Sequence, residues 1–402
     1  MNILQPTVLA VVCAVLSHCG SGSSASTSSS SGGSGGDATS AGDLAACSDT
    51  APFTVAPLAA DAYTAIVPLG NLNPTGHTFP TNHLYLYLKT DDIGVSQTTP
   101  LYAPGDLRIT AISASTYTSA TPPYTDYQLY FSPCRDLQVY FLHVSGLSDT
   151  INAQLGDASD CTDYTTGGTS VHFCSYRLAL DIAAGTQLGT AGGNPGQRAL
   201  DFGGSDARIT ALPFAATRYQ SSSDGLDQYH VICPLDYFTT ELQATLQSRL
   251  GRYDGTTLRT VEPRCGEVEQ DEPGTAQGIW FVNGTTSFQQ EDPHLALVHD
   301  NIDPTLGAFS VGASIPSLSS GAYFFTPTHS GTVNRDFDEV TNDGNTYCYD
   351  SFQNYVGESI ASQFVILLRL TTTTTLQIES QSGATCGSNS WTLGSGAVTF
   401  ER

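Results

Sequence analysis

A mostly β fold, built from hairpins and divided into two successive domains, is what this sequence predicts. Three observations support the prediction. Apolar and aromatic runs of strand length recur along the chain, at His83–Leu88, Asp126–Phe131, Leu137–His143 and Thr169–Leu180. The 39 Gly and 20 Pro punctuate those runs as turns require, and Thr, Tyr and Val suit pleated, half-buried surfaces. One stretch alone carries a helical stripe: Leu235, Phe238, Leu242, Leu246 and Leu250 recur at spacings of three and four. Pro234 fits the first turn of that helix, and Gly251 is placed to end it.

The folded part is expected to begin late. Leu4 to Ser17 is mostly apolar, too short to span a bilayer comfortably, and of signal-peptide length, although no Lys or Arg precedes it. The run ends Leu16-Ser17-His18-Cys19-Gly20. An aliphatic and small pair before a Cys resembles the bacterial lipobox, with His18 where a small residue is usual. The resemblance implies cleavage to Cys19, its lipidation, and membrane contact through a lipid anchor only. Residues 1–19 are therefore read as a signal segment and 20–46 as a tether. Ser21 to Gly42 is almost entirely Ser, Gly, Ala and Thr and cannot bury enough apolar surface to offset its ordering entropy. Its reach is roughly 25 Å r.m.s..

About 360 residues follow, enough for two domains. The boundary is placed at Leu212-Pro213, giving a compact β domain over 47–212 and a β-rich domain over 213–402 opened by the helix. Short strands are expected there at Gly278–Val282, Leu295–His299, Gly321–Thr326, Thr346–Tyr349 and Phe364–Ile378. The net charge is −24, from 38 acidic and 14 basic residues, a surface that repels nucleic acid and anionic lipid. Beyond the signal segment eight cysteines remain, none in a close Cys-x-x-Cys pair. In an exported chain they read as four disulfides rather than a thiolate zinc site. Eight cysteines allow 105 pairings. The working assignment is Cys161–Cys174, Cys233–Cys265 and Cys348–Cys386, leaving Cys47 with Cys134.

The chemistry is expected near the start of the first domain. Two histidines, His77 and His83, flank a Pro- and Gly-rich turn within Pro68–His83 that leads straight into a strand. Such a turn holds side chains rigidly, as a metal site needs. Then come Leu101-Tyr-Ala-Pro-Gly-Asp106, Val139-Tyr-Phe-Leu-His143, the stretch from Ile182 to Gly193, and Ala199-Leu-Asp201-Phe202. That order, over roughly 135 residues from Pro68 to Phe202, resembles the lysostaphin-type zinc metallopeptidases, which cleave peptide cross-bridges in bacterial cell walls. The resemblance implies a hairpin-built β sandwich and a Zn²⁺ site acting on peptidoglycan. It places His77 at the first ligand position, Asp201 at the third, and His143 at a catalytic histidine. Thr81 stands where the family has its Asp ligand, so the second ligand passes to His83, or to Asn82. Ala199 stands where the family has its other catalytic histidine. Two imidazoles and a carboxylate suit zinc with a position left open, or other divalent metals in facial geometry.

Other candidates are weaker. His294 and His299 are an odd number of residues apart and face opposite sides of a strand. Asp300, Asp303, Asp336, Asp338 and Asp343 match no calcium-loop spacing and read as acidic turns. No phosphate loop or Gly-x-Ser-x-Gly elbow occurs. The functional expectation is a cell-envelope lipoprotein whose metallopeptidase-like domain hydrolyses or binds peptidoglycan peptides. The competing expectations are a catalytically inactive binding or activator domain, and a surface adhesin or carbohydrate-binding protein. Oligomeric state is not encoded in any of these features.

Overall fold

The computed structural model describes residues 41–91, 94–166, 168–221, 227–286, 290–361, 363–383, 385–387 and 390–402. The signal segment, Cys19 and nearly all of the tether lie outside the described residues. Among the described residues the protein is mostly β, with two antiparallel sheets.

The first sheet comprises β1 (Tyr63–Val67), β2 (His83–Leu88), β3 (Thr99–Tyr102), β4 (Leu107–Tyr117), β5 (Tyr124–Cys134), β6 (Leu137–Leu147), β7 (Asp160–Thr166), β8 (Thr169–Ile182), β9 (Gln187–Ala191) and β10 (Ala199–Asp206). A single helical turn, α1 (Asp149–Asn152), follows β6. The spatial order is β1-β2-β10-β6-β5-β4-β8-β7, with β9 pairing both β3 and β6. The last strand, β10, thus inserts between β2 and β6. This long-range closure brings three segments far apart in sequence onto adjacent strands.

Alternation along those strands separates two faces. Leu200 and Phe202 of β10 turn to the core, where the Phe202 ring lies 4.8 Å from Phe141 and 6.2 Å from Phe238. Asp201 and Gly203 turn the other way, opposite Tyr85 and His83 of β2.

The second sheet comprises β11 (Gly278–Val282), β12 (Leu295–His299), β13 (Gly307–Val311), β14 (Gly321–Phe325), β15 (Tyr347–Tyr349), β16 (Phe364–Thr372), β17 (Thr375–Ser382) and β18 (Val398–Glu401). Its order is β14-β13-β12-β11-β18-β17-β16-β15. Trp280, Leu295 and Leu297 point into this sheet's own aromatic core, while Ile279, Phe281, Ala296 and Val298 point into the first sheet's core. One pair of strands therefore serves both cores, by the period-two rule.

The helical stripe folds differently from its periodic reading. Pro234–Tyr237 is a 3-10 turn, Phe238 is extended (φ −86°, ψ 156°), and α2 (Thr240–Gln247) follows. The break lets Phe238 reach the Phe53 ring at 5.1 Å. Leu246 and Leu250 join the same core, and Ile66 of β1 donates its N–H to Arg249 O. The segment expected to open the second domain instead packs against the first sheet, because the apolar surface that buries its stripe lies there.

The four disulfides are Cys47–Cys134, Cys161–Cys174, Cys233–Cys265 and Cys348–Cys386, the pairing assigned from the sequence. Four such bonds place the protein in an oxidising, exported environment. Among the described residues no helix is long and apolar enough to cross a membrane.

Candidate functional site

The turn carrying His77 is braced from both sides. Asn73 and His77 exchange backbone hydrogen bonds of 2.9 Å. Gly70 adopts φ +81°, and a Cβ there would collide with Glu267 O, so only glycine fits. The second sheet then pins the segment. Asn301 Nδ2 donates to Pro68 O (2.9 Å) and Phe79 N donates to Glu291 Oε2 (2.8 Å). His294 stacks on the Phe79 ring at 5.6 Å.

Four predicted residues meet on the face opposite the Phe202 core. Asp201, only 2% exposed, sits at the centre. Its Oδ2 lies 3.3 Å from His83 Nε2 and 3.4 Å from His143 Nε2. The His77 ring lies against His83 with centroids 5.4 Å apart, edge to face. Convergence follows from register: Asp201 pairs with Tyr85 on one side and Leu142 on the other, so its neighbours along the strands are His83 and His143.

His143 is aimed by a distortion. The β5–β6 register slips where Tyr127 pairs with Val144 but Leu129 pairs with Phe141. Two residues of β6 oppose one of β5, which is a β-bulge. His143 is the bulged residue and has φ +65°, a conformation costly for a side chain with a Cβ. The bulge turns its Nδ1 to Asp126 Oδ2 at 2.8 Å and leaves Nε2 towards Asp201.

The partners of the two imidazoles fix the chemistry of the centre. His83 Nδ1 donates to Asn82 Oδ1 at 2.9 Å. Asn82 in turn donates to Gln228 Oε1 (2.9 Å) and accepts from Tyr140 OH (3.1 Å). The Tyr140 ring fits because Gly203 has no Cβ to meet it. With Nδ1 protonated, the neutral His83 presents a lone pair at Nε2. His143 Nδ1 is held in the same way by Asp126. Two oriented imidazole Nε2 atoms therefore face one carboxylate. His83 Nε2 and Asp201 Oδ1 have no hydrogen-bond partner, and the 3.3 Å contact is not aligned as one. A buried imidazole nitrogen and a buried carboxylate oxygen thus lie side by side with bonding capacity unused, a pair that could share a proton or hold a metal.

Burial dominates the electrostatics of the cluster. Burial, with Asp126 adding to it and His143 opposing it, pushes the Asp201 carboxyl up to about 7. Burial, then His143, lowers His77 to about 4. Burial, then His77 and His143, holds His83 well below the usual histidine range. Near neutral pH, His77 and His83 are uncharged, as metal ligation requires.

The separations of 3.3 and 3.4 Å also match the edge of a tetrahedron with metal–ligand bonds of about 2.0–2.1 Å. They exceed the 2.7–2.9 Å typical of a charge-assisted hydrogen bond. The arrangement is an open V with the carboxylate at its apex. Among the described residues, the set in which every donor atom lies within 4.8 Å of the others is a different one, Cys161, His172 and Cys174.

Asn82, weighed in the sequence as an alternative ligand, instead orients His83. Thr81 is buried, its Oγ1 donating to His83 O at 3.4 Å, and Ala199 pairs with Tyr87 on the Asp201 face. Asp126, Tyr140 and Gly203 escaped the sequence reading. For Asp126 a signal existed: a carboxylate placed mid-run among aromatic strand formers. The weaker candidates find structural partners. His299 Nε2 bonds Asp336 Oδ1 (3.0 Å), His294 Nδ1 accepts from Val282 N (3.2 Å), and Asp303 and Asp343 accept from turn N–H groups.

No family model, no curated protein and no solved structure matches this chain.

Proposed function

We propose that this is a bacterial cell-envelope protein whose first sheet carries a metallopeptidase-like centre acting on peptidoglycan peptides. One observation carries the proposal: two oriented imidazole Nε2 atoms and a buried carboxylate, unpaired at Oδ1, converge on β2, β10 and β6. These are the positions that the sequence resemblance assigns to metal and proton transfer. In this reading His83 and Asp201 would hold a divalent ion such as Zn²⁺, with His77 beside them, and such an ion would supply Lewis-acid polarisation of a peptide carbonyl. His143, whose side chain is 25% exposed, takes or gives a proton at Nε2. Asp126 accepts from its Nδ1 and stabilises the imidazolium that results. A lipid at Cys19 and a tether over 20–46 would hold this body at the membrane facing its substrate.

The depth of Asp201 and the apolar Ala199 favour a second reading, a non-catalytic domain that binds wall peptides or activates another enzyme. The test is release of soluble fragments from cross-linked peptidoglycan by zinc-supplemented full-length protein. The enzyme reading predicts release, reduced by about 10²–10⁴-fold in His143→Ala with zinc content unchanged. Sedimentation with peptidoglycan but no release by the wild type would leave the binding reading in place and remove the enzyme.

A further inference from the structure

A second cluster of metal-ligand types lies on the outer hairpin of the first sheet, away from the His83 centre. Cys161 on β7 and Cys174 on β8 are paired in register and form a disulfide. His172, two residues from Cys174 and on the same face, brings Nε2 to 3.2 Å from Cys174 Sγ. Its Nδ1 lies 2.7 Å from Asp163 Oδ1 on the neighbouring strand. The ligand atoms of Cys161, His172 and Cys174 all fall within 4.8 Å of one another. Cys161 and His172 are exposed, whereas Cys174 is buried.

We propose that this hairpin is a redox-gated site for a thiophilic divalent metal of the zinc class. In the disulfide form the sulfurs cannot act as thiolate ligands. A dithiol reductant opens the site by attacking the sulfur that solvent can reach. Its thiolate bonds to Cys161 Sγ, the Cys161–Cys174 bond breaks, and the electron pair leaves on Cys174 Sγ. The reductant's second thiolate then displaces Cys161 and closes the reductant's own disulfide. Two electrons have moved from dithiol to protein, and two cysteine thiolates remain beside an imidazole.

The geometry suits that product. The imidazole is already tautomer-fixed by a carboxylate at Nδ1, the outer-shell arrangement of metal-bound histidines. Two thiolates and one imidazole are a soft, zinc-selecting set with a fourth position open to solvent. The strand pair holds the ligands together without the disulfide, through the β7–β8 ladder on one side and the β4–β8 ladder on the other.

The test uses oxidised full-length protein, treated with increasing dithiothreitol and then freed of it. Thiol labelling with peptide mapping identifies which bond has opened, and circular dichroism follows the fold. The expected result is that Cys161–Cys174 opens first and the protein gains one further equivalent of Zn²⁺. With Co²⁺ as the probe, a thiolate charge-transfer band should appear. Both should be absent in Cys161→Ser/Cys174→Ser, and His172→Ala should bind at least tenfold more weakly while retaining the thiols. Another disulfide opening first would overturn the proposal. So would a reduced, folded wild type that gains no metal, or a gain that persists in the double serine variant. Because the thiolate band reports only sulfur ligands, the outcome is separable from any metal at His83 and Asp201.

Discussion

At the scale of single residues, the centre is defined by protons that are missing. Asp201 titrates near 7 rather than in the usual carboxylate range. A carboxyl whose folded pKa lies above its unfolded value stabilises the protonated fold. The metal-free protein therefore loses stability as pH rises from about 4 to about 7, and carries the full penalty above that. His77 and His83, with depressed pKa values, act in the opposite sense: their burial costs stability as pH falls below the ordinary histidine value. Asp201→Asn removes the carboxylate penalty. In the presence of chelator it should be more stable than wild type at pH 8, by up to roughly 4 kcal/mol. The two proteins should converge below pH 4, and denaturant titration at both pH values checks this. Added zinc should reverse the order at pH 8, because only the wild type supplies a charged ligand.

At the scale of elements, orientation comes from features that have no charge. Gly203→Ala on β10 places a Cβ against the Tyr140 ring. The ring must then move, and Asn82 and His83 lose the bond that fixes their geometry. The expected cost is about 1–3 kcal/mol, together with weaker metal binding, measured by thermal melting with and without zinc. Phe238→Ala should cost about 3–5 kcal/mol. Because that ring packs on Phe53 and Phe202, hydrogen exchange should rise in β10 and around Phe53 rather than in the second sheet. Many strands were legible because their apolar runs have strand length and Gly–Pro punctuation, but Phe364–Ile378, expected as one strand, is the hairpin of β16 and β17, whose turn at Thr372–Thr375 has neither Gly nor Pro to mark it. The helix was only partly legible: a stripe at three- and four-residue spacing does not reveal that Phe238 leaves the helix to reach Phe53. The bulge at His143 left no trace in the sequence, since it arises from pairing between β5 and β6. Asp126 stood out as a carboxylate in an aromatic run, but its pairing with His143 depends on that bulge.

At the scale of the whole molecule, the two sheets share more than a linker. Ile279, Phe281, Ala296 and Val298 of the second sheet complete the first sheet's core, and Glu291 and Asn301 brace the His77 turn. A fragment ending at Leu212 lacks these residues as well as Phe238 and Leu250. It should not fold cooperatively, and its far-ultraviolet dichroism and urea titration should show no native transition. The family resemblance put His77, His83, His143 and Asp201 in one hypothesis, and the insertion of β10 between β2 and β6 is what brings His83, Asp201 and His143 together. The sequence could not show that residues past 212 belong to the same packing unit, since a composition shift marks a chain segment and not a core.

The proposed cation joining imidazole and carboxylate on neighbouring strands is tested most directly by the zinc stoichiometry of the oxidised protein. Equilibrium dialysis at pH 8, without reductant, should return one zinc per wild-type chain. Binding should weaken at least tenfold in both His83→Ala and Asp201→Asn, each shown to be folded. A folded wild type that binds no zinc, or variants that hold it as tightly as the wild type, would contradict it.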